Sequence, residues 1–266
     1  MALLLLFSIA QKNVDAQRTQ LTWVNGLGHH LHHMEDGEER ISSYFGGEPV
    51  RYCYNPTQQA HDEDMLGYVG DLAQAAAQLV GRITAEVDSL AQHLRDAVTS
   101  VGPRGCVVIV AHSQGALITY LASKQLTPKE MGQIEVIAFG GAAALRSTPN
   151  TPFRRCVNYF SVNDPVLLVV PEAAKALRSG LVADEEFCFL APSVGDCIAD
   201  HNLVGPTYAK ALQWEGDLFQ LKYRSLASRT FRRFFGMRKH QRILDEEQRQ
   251  HRIAEKQESN ASAISF

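Results

Sequence analysis

The sequence predicts an α/β protein in which a mainly parallel sheet carries helices on both faces. Short runs rich in β-branched and aromatic residues alternate with stretches whose apolar residues recur at helical spacing. The order strand, helix, strand, helix, strand requires crossover connections, and these favour parallel pairing. One strand also runs straight into a helix through a tight turn at Ser113. A chain of 266 residues is long enough to bury the core of one such domain.

The first half of the chain supplies two predicted strands, at residues 21–24 and 50–54, followed by a loop at 55–64. Residues 65–100 then predict one long helix, which Gly102 and Pro103 end. The apolar face predicted for this helix consists of Leu66, Val69, Leu72, Ala76, Leu79, Ile83, Val87, Leu90 and Leu94.

The third predicted strand leads into the most informative segment of the chain. Residues 106–110 are apolar and mostly β-branched, the next five are Ala-His-Ser-Gln-Gly, and residues 117–122 are helix-like. A strand–turn–helix of this kind pushes the hydroxyl of a central serine out of the sheet. Because the turn is tight, the residues two before and two after Ser113 must be small, and they are Ala111 and Gly115. A lone serine between small residues is common, so the hypothesis depends on partners elsewhere in the chain.

The second half of the chain supplies those partners in a suitable order. Strands are predicted at residues 134–139, 156–162 and 186–190. Asp164 follows the second of these strands, where Pro165 stops it. His201 follows the third strand after a predicted loop at 191–200. A serine, an acid and a histidine therefore each follow a strand of one parallel sheet.

These residue types suit nucleophilic catalysis. A neutral serine hydroxyl attacks poorly unless an imidazole takes its proton, and a carboxylate orients that imidazole and stabilises its cation. Ser113, His201 and Asp164 are the candidates for nucleophile, base and acid. An Asp before Pro is also an ordinary turn former, and His201 is one of ten histidines. The acid role has three competing candidates, namely Asp184, Asp196 and Asp200.

The segment after the first strand predicts an oxyanion hole. One backbone N–H is expected from Gln114, the residue after the nucleophile, and the other from Leu27 or Gly26. Gly26 lets the backbone approach the substrate closely. An Asn-Gly turn is by itself ordinary, and it gains this meaning only beside a nucleophilic serine.

Taken together, these pieces resemble the α/β-hydrolase superfamily, and within it the lipase-like serine esterases. The resemblance covers about residues 18–215 and rests on four pieces, which are residues 24–27, 111–115, 163–166 and His201. It implies a serine hydrolase that cleaves a carboxylic ester of a lipid or another apolar acyl group through an acyl-enzyme. Thioester and amide substrates use the same triad and stay open. The alternative is a non-catalytic protein of this fold that binds a lipid or a partner.

No cofactor or metal is expected from the sequence. The five cysteines are odd in number and unpatterned, which favours reduced thiols over a disulfide framework. Four histidines beside the oxyanion turn lack a carboxylate at helical spacing, which favours a solvated loop over a metal site. These histidines are His29, His30, His32 and His33.

Charge and composition divide the chain into three parts. Residues 1–17 form an apolar segment, 18–221 the hydrolase-like domain, and 222–266 a basic helix with a charged tail. The net charge of −3 argues against nucleic acid as a partner, and nothing indicates an oligomeric state. Residues 2–10 are too short to span a bilayer and lack a basic flank, which favours a first strand and a cytoplasmic protein. The secretory route applies if that segment is instead a signal.

The basic segment has two interpretations. Residues 222–242 hold eight Lys or Arg and no acid, interleaved with phenylalanines. Such a segment can bind an anionic membrane surface peripherally. It can equally dock on the domain through its aromatic rings while its cations stay in water, and this second interpretation is favoured.

Overall fold

The structure is a computed structural model that describes residues 18–26, 31–55 and 83–224. For residues 31–34 it describes the backbone alone, and it does not describe the side chain of Leu168. The predictions for residues 1–17, Leu27 and residues 225–266 lie outside this description. The same holds for His29, His30 and the part of the predicted long helix that precedes Ile83.

Six strands form a single sheet within the described ranges, and every neighbouring pair is parallel. The order across the sheet is β2-β1-β3-β4-β5-β6. The strands are β1 (Thr19–Val24), β2 (Val50–Cys53), β3 (Cys106–His112), β4 (Ile134–Phe139), β5 (Arg155–Ser161) and β6 (Phe187–Leu190). The prediction of a mainly parallel sheet is confirmed, and each strand predicted within the described residues is present with ends that differ by at most two residues.

The helices are α1 (Leu31–Tyr44), α2 (Ala85–Val101), α3 (Gln114–Ser123), α4 (Pro128–Met131), α5 (Pro171–Arg178), α6 (Cys197–His201) and α7 (Pro206–Phe219). A 3₁₀ helix covers Pro165–Val169, and a π-helical turn covers Gln220–Arg224.

The central strand β3 shows how the helices cover both faces. All seven of its residues are buried, as expected for a strand between two helical layers. Val107 and Ile109 pack in the hydrophobic cluster that contains residues of α2 and α3. Val108 and Val110 pack in a second cluster, which contains residues of α1 and α7. Because successive side chains of a strand point to opposite faces, the prediction of helices on both faces is confirmed.

The register of the central strands aligns their carboxyl ends. Val24 of β1 pairs with Ala111 of β3, and His112 pairs with Phe139 of β4. The segments that follow these three strands therefore meet at one edge of the sheet. In open parallel sheets this edge is where ligands bind.

Three local predictions were wrong. Ile83 precedes α2 and is 63% exposed, so it does not belong to the apolar face, whereas Val87, Leu90 and Leu94 are buried as predicted. The end of the predicted loop at 191–200 is helical, because the Asp196 side chain accepts the N–H groups of Ile198 and Ala199 and starts α6. His32 and His33 lie in α1 and not in a loop.

The structure also bears on the two ends of the domain. Within the described residues no helix is both long and apolar enough to span a membrane. The first residues of the basic segment lie in the π-helical turn that continues α7.

Candidate active site

The turn at Ser113 has the conformation that a nucleophile elbow requires. Ser113 has φ 54° and ψ −123°, and among the described residues it is the one non-glycine with positive φ. Its N–H donates to the carbonyl of Phe139 at 3.0 Å, and its carbonyl accepts the N–H of Ala142 at 2.9 Å. A backbone this strained persists only where its surroundings hold it, and such positions cluster at functional sites.

The small residues around Ser113 have a steric reason. A Cβ on Gly115 would lie 2.6 Å from the carbonyl oxygen of Val24 and 2.8 Å from that of Asn25. The helix that begins after the serine therefore packs directly on the end of β1. Ala111 is fully buried in the cluster that contains α2 and α3. The sequence requirement for small residues at these two positions is thus explained by packing.

Asp164 lies just after β5, as predicted, and its carboxylate is held by three donors. The N–H of Val166 donates to Oδ1 at 2.8 Å. Oδ2 lies 2.7 Å from Nδ1 of His201 and accepts the hydroxyl of Tyr208 at 3.2 Å. Burial, together with the nearby Asp164 carboxylate, raises the pKa of Tyr208 well above its usual range, so the phenol stays protonated and donates. Sequence reasoning missed Tyr208.

His201 is fixed from several sides. Its Nδ1 pairs with Asp164, which leaves Nε2 as the ring nitrogen available for proton transfer. Nε2 of His112 lies 2.8 Å from the backbone carbonyl of His201, and since a carbonyl only accepts, His112 donates. The two rings lie with centroids 4.9 Å apart. The His201 side chain remains 19% exposed, so the imidazole is within reach of solvent and small molecules.

Gly140 joins the elbow to the acid–histidine pair. It has φ 52° and follows β4 directly after Phe139, whose carbonyl accepts the N–H of Ser113. A Cβ on Gly140 would lie 2.7 Å from Nδ1 of His201 and 2.8 Å from Oδ2 of Asp164. The strained turn at Ser113 and the pair of Asp164 and His201 therefore lie on either side of the turn after β4, at the carboxyl edge of the sheet.

The three competing acids have other partners. Asp184 accepts the N–H groups of Glu186 and Phe187, and Asp196 caps α6. Asp200 is buried and accepts the hydroxyl of Thr207. It also accepts the backbone N–H groups of Ser193, Val194 and Gly195. Of these four carboxylates, only Asp164 forms a hydrogen bond with the His201 ring.

The predicted oxyanion segment lies against the nucleophile. A Cβ on Gly26 would lie 2.5 Å from Cβ of Ser113 and 3.1 Å from its Oγ, so only a glycine allows this approach. Gln114 is the first residue of α3 and follows the nucleophile directly. Leu27, the other candidate donor, lies outside the described residues.

The cysteines and the candidate metal ligands lie elsewhere in the domain. All five thiols are free. Burial raises the pKa of Cys53 and Cys106 to about 11 and that of Cys156 to about 12, so these thiols stay protonated. Among the described residues, no three His, Cys, Asp or Glu side chains are placed to share a metal ion.

The apolar residues close in sequence to Asp164 and His201 divide between core and surface. Phe160 and Val170 are buried in a small hydrophobic cluster with Phe187 and Phe189, so they do not line an open surface. Exposed apolar side chains close in sequence to Asp164 or His201 include Val169, Val194 and Ile198. They lie on the two segments that follow β5 and β6.

A parallel sheet of this order, with a strained serine between its central strand and the next helix, defines an α/β-hydrolase fold. No protein-family model matches the sequence, and no curated protein matches it. Among solved structures, the chain is similar to a cutinase from Trichoderma reesei in complex with a phosphonate inhibitor. The identity is 14%, the TM-score is 0.37, and the alignment covers 82% of this chain and 85% of the cutinase. We draw no argument about chemistry from a likeness of this size.

Proposed function

We propose that the protein is a serine hydrolase that cleaves a carboxylic ester. The observation that carries the proposal is the 2.7 Å contact between Asp164 and His201 at the edge where Ser113 is held at φ 54°. A buried carboxylate that orients a partly exposed imidazole, together with a strained serine, is the arrangement that activates a hydroxyl.

The reaction proceeds in two stages. The Oγ of Ser113 attacks the ester carbonyl carbon while Nε2 of His201 takes its proton. The tetrahedral intermediate collapses, the bond to the alcohol oxygen breaks, and His201 returns the proton to that oxygen. Water then attacks the acyl-enzyme with His201 again as base, and the acid leaves as Ser113 regains its proton. Asp164 holds the Nδ1–H tautomer and stabilises the imidazolium in both stages.

Negative charge develops on the former carbonyl oxygen in both intermediates. The backbone N–H of Gln114 is one donor for it, and the segment at Gly26 and Leu27 supplies the other. Removing one such donor costs about 10²–10³-fold in kcat in well-studied hydrolases. The close packing of Gly26 on Ser113 supports this assignment.

The surface beside the site supports an apolar acyl group. Val169, Val194 and Ile198 are 46%, 55% and 76% exposed. They lie three to seven residues from Asp164 or His201 along the chain. Covering such exposed apolar side chains with an apolar chain removes their surface from water and lowers the free energy. An ester with an aliphatic acyl chain meets that requirement.

The first prediction tests the proposal as a whole. Ser113→Ala should abolish hydrolysis of p-nitrophenyl esters and labelling by a fluorophosphonate probe, because both need the activated hydroxyl. Thermal stability should change little, because serine and alanine both carry a Cβ and are strained to a similar extent at positive φ. Ser179→Ala, a change at an exposed serine remote from the site, is the matched control and should keep both signals.

The substrate class is tested in the same assay. Esters with short, medium and long acyl chains should differ in kcat/KM, with the preference set by the apolar rim. A wild-type protein that folds, is not labelled and cleaves no ester, thioester or amide would instead support the non-catalytic alternative.

A further inference from the structure

Three buried amide side chains lie behind the proposed oxyanion hole. Asn25 follows β1, Asn55 follows β2, and Gln114 begins α3. Each is at most 1% exposed. Three segments that are far apart in sequence therefore bring uncharged polar groups into one buried region. Buried amides are costly unless they are hydrogen-bonded, so their partners matter.

The amides bond to one another in a chain. The N–H of Asn55 donates to Oδ1 of Asn25 at 2.8 Å. Nδ2 of Asn25 donates to the carbonyls of Gly26 at 2.9 Å and of Asn55 at 3.1 Å. Because a backbone N–H only donates and a carbonyl only accepts, these contacts fix which end of the Asn25 amide carries the oxygen. Nδ2 of Asn55 then donates to Oε1 of Gln114 at 2.8 Å.

The two ends of this chain of hydrogen bonds are the two proposed sources of oxyanion donors. One end is the carbonyl of Gly26, whose backbone packs on Ser113. The other end is the side chain of Gln114, whose backbone N–H is the donor next to the nucleophile. Asn55 lies between them and links both. Within the described residues Asn55 forms hydrogen bonds with Asn25 and Gln114 and none with Ser113 or His201, so its action is indirect.

We propose that Asn55 is a positioning residue of the oxyanion hole. It holds the Gly26 segment and the start of α3 in a fixed relation, so that their N–H groups point at one place. The inference rests on the proposed function and deepens it, since it assigns a role to a residue outside the triad. Misplacing a catalytic group by about 1 Å costs about 10²-fold in rate, so small shifts of these segments matter.

The experiment compares Asn55→Ala with the wild type in steady-state ester hydrolysis. Oxyanion donors act mainly in the transition state, so kcat should fall about ten- to a hundredfold while KM changes less than about twofold. Affinity for a trifluoromethyl ketone, which forms a tetrahedral adduct with the serine, should fall by the same factor as kcat/KM. The pH profile should keep its shape, because the pair of Asp164 and His201 is untouched.

Two further variants keep the test sharp. Asn158→Ala removes another fully buried amide, which bonds to Leu145 and Glu186 away from the elbow, and it is the matched control. It should lower stability without the selective loss of kcat. Gln114→Met removes the acceptor of Asn55 while it keeps the backbone N–H of residue 114. It should reproduce the loss of kcat even if Asn55→Ala does not fold.

The outcomes separate this inference from the proposed function. Folded Asn55→Ala or Gln114→Met with unchanged kcat, or with a loss in KM alone, overturns the positioning role and leaves the hydrolase intact. The same holds if kcat falls but the affinity for the ketone does not. A wild type without hydrolysis or probe labelling overturns both.

Discussion

At the scale of single residues, hydrogen bonding distinguishes Asp164 from the other candidates for the acid of the triad. Its side chain is fully buried and faces one imidazole, one phenol and one backbone N–H. A carboxylate with three donors has a fixed orientation, and it transmits that orientation to His201. Asp196 and Asp184, by contrast, accept backbone N–H groups.

The second prediction follows from this contrast. Asp164→Asn should keep the fold but present an amide to Nδ1 of His201, which favours the wrong tautomer of the imidazole. The loss in kcat reaches about 10⁴-fold in the best-studied triad, and we expect a loss of that order. Asp196→Asn is the matched control, because asparagine caps a helix as well as aspartate does. Full activity in Asp164→Asn, measured with p-nitrophenyl esters, would remove Asp164 from the acid role.

The site residues predicted from the sequence belong to short local patterns, whereas the residues that were missed act through contacts between distant parts of the chain. Ser113 and Gly115 belong to one short motif, and Asp164 follows a strand that is visible in the sequence. Tyr208 contacts Asp164 across 44 positions, and Asn55 contacts Gln114 across 59. Such contacts exist only once the sheet is assembled, so no local pattern indicates them. His112 stands within the motif, but its bond to His201 spans 89 positions.

At the scale of elements, the segment between β6 and α7 positions His201 and is organised by Asp200. This carboxylate accepts three backbone N–H groups from residues 193–195, the hydroxyl of Thr207 and the amide of Asn163. Burial alone would raise the pKa of Asp200, but these hydrogen bonds together lower it to about 2. The charged form of Asp200 is thus a structural part of the segment that carries the proposed base.

The third prediction is a pH-dependent loss of stability in Asp200→Asn. The folded-state pKa lies below the ordinary value of 3.8, so the carboxylate stabilises the fold above 3.8 and this contribution is lost as the pH falls towards 2. The variant should therefore unfold at lower urea concentration than the wild type at neutral pH, and the difference should shrink across that range. Urea unfolding at a series of pH values measures it.

The urea experiment has a control variant and an outcome that would contradict the prediction. Asp217→Asn changes an exposed carboxylate of α7 and should leave the wild-type pH dependence unchanged. A stability difference between Asp200→Asn and wild type that stays constant down to pH 2 would show that Asp200 acts through packing rather than charge.

At the scale of the whole molecule, the pattern of apolar residues was sufficient to predict the architecture. All six described strands follow from runs of β-branched and aromatic residues, and the helices predicted between β2 and β3 and between β3 and β4 favour their parallel order. The ends of elements were less predictable. The start of α6 depends on the cap at Asp196, and the exposure of Ile83 depends on where α2 begins.

The assembly of the molecule also involves the first residues of the basic segment. Lys222 and Tyr223 both contact the carboxylate of Glu135, which is 3% exposed. Arg224 pairs with Glu48, and Phe219 packs edge-on against Phe45. The described start of this segment, residues 222–224, thus contacts the domain through two ion pairs and the Tyr223 hydroxyl, while the phenylalanines of the favoured interpretation lie outside the described residues.

The last prediction separates docking from membrane binding. Truncation after Gln220 should lower the melting temperature, because it removes the buried Tyr223 and leaves the Glu135 carboxylate with Arg154, at 3.3 Å, but without Lys222 and Tyr223. A hydrogen bond to a charged group typically contributes about 1.5–3 kcal/mol. Truncation after Arg224 keeps these contacts, so comparing the two truncations separates the contribution of residues 221–224 to the melting temperature from that of residues 225–266. Co-sedimentation with vesicles of anionic phospholipid completes the test: under docking, both truncations bind as the full chain does. Loss of vesicle binding in either truncation, with the melting temperature unchanged, would show that the basic segment serves a membrane surface instead.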